Sequence, residues 1–94
     1  MRGDQPALRD VSGRVLDLRG NVLPASTVQV ENTVNLTVRS YVTGPDGQYR
    51  FNGLNDDIDY VLKAHYRDKW SKPKTLNKFN TNPHPEIDLI IPVE

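Results

Sequence analysis

Residues 43–54 read TGPDGQYRFNGL. The first half reads as a turn and the second as a strand, and that division decides the fold. Pro45 suits the second position of a type I turn, because its ring holds φ near about −65°. Asp46 is favoured inside turns, and Gly47 tolerates the positive φ that closes a bulged hairpin. From Gln48 the residues alternate, with Tyr49 and Phe51 on one face. Such a period of two marks a half-buried strand. A calcium loop is the competing reading. It needs several converging oxygen ligands, as in D-x-D-x-D-G, whereas Asp46 is the one carboxylate here. The stretch is read as the connection from a strand ending at Thr43 to one starting at Gln48.

The same alternation extends in both directions. Upstream, LTVRSYVT (36–43) puts Leu36, Val38, Ser40 and Val42 on one face and Thr37, Arg39, Tyr41 and Thr43 on the other. TVQVE (27–31) turns Val28 and Val30 inward. VSGRVLDL (11–18) puts Val11 and Val15 on one face, and RGN (19–21) is a turn signal. Downstream, DYVLKAHY (59–66) turns Tyr60, Leu62, Ala64 and Tyr66 inward, with Lys63 and His65 outward. WSKPKTL (70–76) reads as an edge strand, since Pro73 cannot donate to a ladder. EIDLIIPV (86–93) alternates at Ile87, Leu89 and Ile91. No window of 11 residues or more carries a helical period. Residues 1–9 read as a flexible polar leader and 10–94 as one domain. The expectation is all-β: a seven-stranded antiparallel Greek-key sandwich.

Composition agrees and narrows the function classes. Ninety-four residues make one domain, able to bury roughly 60–70% of its unfolded surface. Lys+Arg and Asp+Glu both number 12, so the net charge is zero. That balance supplies no pull toward DNA or anionic membranes, and no nucleic-acid partner is expected. No cysteine is present, which removes disulfides, thiolate zinc sites and cysteine nucleophiles. No apolar run approaches the roughly 20 residues of a membrane helix, so no direct membrane insertion is expected. No signal peptide is visible in the chain.

Three segments carry a resemblance: VSGRVLDLRGNVLPASTVQVEN (11–32), TGPDGQYRFNGL (43–54) and YVLKA (60–64). Together they resemble the carboxypeptidase regulatory-like domain, a small prealbumin-like (transthyretin-like) β-sandwich. Its pattern falls on Gly13 and Val15, Gly20 with Leu23 and Pro24, Val28 and Val30, Asp46, Gly47, Tyr49 and Phe51, Leu54, then Tyr60, Leu62 and Ala64. Two departures stand out. Ala25 and Ser26 occupy positions where the family often has glycine. Asp68 and Lys69 precede Trp70 where the family usually has glycine, and only glycine takes positive φ freely. The resemblance implies a non-catalytic accessory module, extracytoplasmic (periplasmic, cell-surface or secreted), whose partner is a neighbouring domain of the same protein or another envelope protein.

The chemical alternatives find little support in the sequence. His65 lies on the outward phase of a strand and His84 between two prolines. A zinc site needs three or four ligands, and no His-Glu-x-x-His occurs, so neither a metal site nor a catalytic centre is expected, and no cofactor. Asp56, Asp57 and Asp59 in NDDID could take a hard cation, but a solvated loop leading into Tyr60 is the plainer reading. Tyr60 itself occupies the place of a tyrosine corner, its hydroxyl bonding to upstream backbone. For a carbohydrate-binding module of the starch-binding-like type, the remaining ligand-contact residues are Tyr41, read as outward, and Trp70, whose family counterpart packs at a strand start.

Overall fold

In the computed structural model, residues 7–93 are described; residues 1–6 of the expected leader and Glu94 lie outside that range. The described residues form eight strands: β1 Leu8–Leu16, β2 Thr27–Asn32, β3 Val38–Val42, β4 Gln48–Asn55, β5 Tyr60–Tyr66, β6 Lys69–Trp70, β7 Lys74–Leu76 and β8 Leu89–Ile90. They make two sheets. One runs β4-β1-β8; the other runs β3-β2-β5-β6, with β7 also on β5. The all-β sandwich is therefore as read from the sequence, with the larger sheet pairing antiparallel throughout.

The alternating residues account for the core. Val11, Val15, Val28, Val30, Tyr49, Phe51, Leu62, Ala64, Leu89 and Ile91 all face between the sheets and are buried. Burying each large aliphatic side chain is worth about 1.5–3 kcal/mol. In β4 the inward phase switches from Tyr49 and Phe51 to Leu54. The cause is a register shift against β1: Val11 opposes Phe51, whereas Arg9 opposes Leu54. The extra β4 residue is a β-bulge, which changes the face of everything after it.

Five details differ from the sequence reading. The strand count is eight because Ser71–Pro73 interrupt the expected edge strand. Ser71 turns its backbone and hydroxyl onto Ala64 instead, and Pro73 has no N–H to continue the ladder. β8 runs parallel to β1, not antiparallel. β1 begins at Leu8, inside the expected leader. Arg9 is buried there, its Nη2 donating to the Ile58 carbonyl at 2.9 Å and its Nη1 to the Asn77 carbonyl at 3.1 Å. Strand β3 has its inward face at Tyr41, opposite buried Val28, the reverse of the phase expected from its alternation.

Finally, Gly44–Gly47 is a turn but not a hairpin. The Gly47 N–H donates to the Gly44 carbonyl and Asp46 Oδ1 accepts from the Gln48 N–H, yet β3 pairs with β2 and β4 with β1. The turn carries the chain from one sheet to the other. Gly47 has φ 70°, and a Cβ there would stand 2.7 Å from Val22 Cβ. Gly13 is needed for a different reason. The Ile87 carbonyl lies 1.9 Å from where its Cβ would be, and the same carbonyl accepts from the buried Tyr49 hydroxyl. Only a residue without a side chain lets β1 and the 86–88 segment approach so closely.

Candidate functional site

Tyr41 and Trp70 do not come together. Tyr41 stands edge-on to Phe51, ring centres 6.1 Å apart, at the rim of the space between the sheets. Arg39 lies beside it, its guanidinium 5.6 Å from the Phe51 ring and bonded to the Asn52 carbonyl. Trp70 pairs with His65, one position out of phase with buried Ala64. It therefore lies on the outer face of the same sheet. The two aromatics are on opposite faces, and no shared platform exists.

Trp70 also departs from the packed role expected of it, being 44% exposed. It is held by neighbours on its own face. The His65 ring is 4.4 Å away and tilted by 35°, and the Lys63 ammonium is 4.7 Å from the indole centre. Alternation in β5 turns Lys63 and His65 outward together, which places both against Trp70. An open groove of about 570 Å³ runs beside them, lined by Gln29, Glu31, Lys63 and Trp70 among others. A second and more apolar groove, about 320 Å³, lies across Leu18, Trp70, Ile90 and Pro92, with Lys72 and Lys74 at its border.

The three aspartates diverge. Asp59 Oδ1 accepts from the Lys78 N–H. Asp56 and Asp57 are exposed, and the Asp57 N–H is bonded to Asn55 Oδ1. Among the described residues, no group of three or more His, Cys, Asp or Glu is placed to hold a metal. Their loop serves Tyr60 instead. Its hydroxyl accepts from the Asn55 N–H at 2.9 Å, five residues upstream, which is the corner bond the sequence led us to expect.

One polar cluster was not legible in the sequence. Asp10, mostly buried, binds Arg50 Nη2 at 2.6 Å and His84 Nδ1 at 2.7 Å. The bond from His84 is the main cause holding the Asp10 carboxyl below its ordinary value of 3.8, with Arg50 adding to it. Tyr49 moves the other way: burial pushes its phenol above its ordinary 10.0, with the charge of Asp88 adding to the shift. Asp10, Arg50 and His84 lie in β1, β4 and the 81–86 loop, so the cluster ties that loop to the smaller sheet. Seventy-four positions separate Asp10 from His84. No local spacing could have announced the contact.

Comparison with known proteins completes the picture. The family model of the carboxypeptidase regulatory-like domain matches residues 10–86. No curated protein sequence matches. Among solved structures, the dioxygenase domain of a dioxygenase carbohydrate-binding protein fusion from Streptomyces sp. SirexAA-E is similar, with TM-score 0.69 and 14% identity. The match covers 100% of this chain and 85% of that one. Mercury-inhibited catechol 1,2-dioxygenase from Acinetobacter sp. ADP1 has TM-score 0.61 and 11% identity, over 98% of this chain and 55% of that one. Likeness at such identity is a likeness of fold alone.

Proposed function

Because this chain belongs to the carboxypeptidase regulatory-like domain family, we propose that it is a non-catalytic accessory module of a larger exported bacterial protein, spacing or docking a neighbouring domain. The observation that carries this reading is where the family's residues go. Val15, Val28, Val30, Tyr49, Phe51, Leu54, Tyr60, Leu62 and Ala64 make the core. Gly13 and Gly47 permit close backbone approach. What the family pattern specifies is thus a rigid scaffold with bare outer faces. Placement outside the cytoplasm rests on the family resemblance.

The test is to read the full open reading frame around this segment and then delete the module from the encoded protein. The reading expects an export signal, a second domain, and a lower thermal midpoint or folded yield of that domain after deletion. A protein consisting of these residues alone without an export signal, or a neighbour unaffected by deletion, refutes it.

A carbohydrate-binding role is the second reading, favoured by the exposure of Trp70 beside Gln29, Glu31 and Lys63. Aromatic rings stack on the apolar faces of sugars, but here a sugar has to displace His65 or Lys63 from the indole. Trp70 is the one tryptophan in the chain, so its fluorescence reports on this site alone. A saturable emission change on titration with oligosaccharides supports this second role; no change removes it.

A further inference from the structure

We propose that β3 is a self-pairing edge through which two copies of this chain join their larger sheets into one. The inference stands apart from the accessory role, and its failure leaves that role untouched. The backbone bonds fix which groups of β3 are unused. The Asn32 N–H donates to the Thr37 carbonyl, and the Thr43 N–H to the Ser26 carbonyl. With the register of β2 on β3, antiparallel alternation directs the N–H and C=O groups of Arg39 and Tyr41 at β2. Those of Val38, Ser40 and Val42 point away, along an edge that carries no further strand among the described residues. Every residue of β3 is exposed.

The two edges of this sheet are treated differently. At the β6–β7 edge stand Lys69, Lys72, Pro73 and Lys74, the residue types that block strand addition. β3, reading VRSYV, has no lysine, proline or irregularity in its pairing, and its one charge, Arg39, is turned inward over Phe51 and bonded to the Asn52 carbonyl. Its outward row, Val38, Ser40 and Val42, carries no charge or proline to turn a partner strand away.

The occupant follows from the residue order. A two-fold axis at Ser40 sets Ser40 against its copy, Val38 against Val42, and Arg39 against Tyr41. The three free positions form about six backbone bonds across the seam. On the outer face, valine meets valine, a favourable cross-strand pair. On the inner face, each arginine meets an aromatic ring, a cation–π pair, and no like charges oppose each other. Because the contact is isologous it closes at two copies, and the guarded opposite edge stops further growth.

A seam of this size falls below about 1,200 Å² of buried surface, so the dimer is weak, with a dissociation constant on the order of 100 µM. Sedimentation equilibrium from about tenfold below to tenfold above that value should follow monomer to dimer. Over the same series, amide exchange at Val38, Ser40 and Val42 should slow, while Arg39 and Tyr41 stay constant. S40P should weaken association at least tenfold while preserving the fold, since the Ser40 N–H is not used within the sheet. V38K and V42E should each weaken it likewise. Mixing the two variants should restore a heterodimer in which the introduced ammonium of one copy faces the introduced carboxylate of the other. This last arm needs no change inside the fold and decides the register. A monomer throughout the range, a dimer indifferent to S40P, or no recovery on mixing overturns the proposal.

Discussion

Replacing Ala25 with glycine should stabilise this protein. Ala25 has φ 60° and follows Pro24 in the turn before β2. Proline followed by positive φ is the type II arrangement, whose third position favours glycine. An L-residue in the left-handed region carries about 1–2 kcal/mol of steric cost. Glycine removes that cost but frees the unfolded chain, giving back about 0.5–1 kcal/mol. Ala25 is exposed, so no core burial is lost with its methyl group. The remainder is up to about 1.5 kcal/mol in favour of the variant, with a midpoint of about 0.8 kcal/mol, or about 3–6 °C in Tm for a domain of this size. Arg67 supplies the contrast. It also has positive φ, 57°, in the two-residue link from β5 to β6, but its guanidinium lies 5.1 Å from the Tyr66 ring. Losing that contact costs about 0.5–1 kcal/mol, so Arg67→Gly should be close to neutral. Urea midpoints of the parent and both variants make the comparison. A midpoint for Ala25→Gly at or below the parent's, with unchanged m, refutes the reasoning.

Three other substitutions probe the scaffold. Tyr60→Phe leaves the Asn55 N–H without its partner and should cost about 1–3 kcal/mol; an unchanged urea midpoint would show that water replaces the bond at no cost. Gly47→Val meets both a positive φ and Val22 at 2.7 Å, and should cost more than Tyr60→Phe by the same assay. For Asp10, whose pKa is lowered in the folded state, the sign of the pH effect is fixed. Its contribution is present above the ordinary value of 3.8 and is lost as pH falls through the folded one. The stability difference between the parent and Asp10→Asn should therefore shrink as pH falls from about 5 to below about 4. A difference that grows as pH falls from about 5 to about 3 would contradict the lowered pKa.

Sequence reading succeeded where the deciding interactions are local or periodic. Tyr60 and its loop, Gly47 and its turn, and the inward sets of β2 and β5 all follow from spacing within a few residues. It failed at β3, because Val38 and Val42 are more apolar than Arg39 and Thr37. The structure puts the valines on the outer face. There they stay largely exposed, while Arg39 and Tyr41 lean over Phe51.

The departures from the family pattern at Ala25 and near Trp70 were visible, but their consequence was not. At both turns the backbone stays near the left-handed conformation without glycine at the positive-φ position.

Alternation, turn residues and charge balance are properties of the chain itself. By themselves they determined an all-β sandwich, most of its core and the absence of a thiol chemistry. Tertiary structure alone decided which strands pair, that β8 runs parallel to β1, and that Asp10, Arg50 and His84 meet. It also decided that Tyr41 and Trp70 lie on opposite faces of one sheet. The physical reason is range. A period of two says that a strand has two faces. Only the partner strand, fixed by packing between distant segments, says which face is covered and which edge is left open.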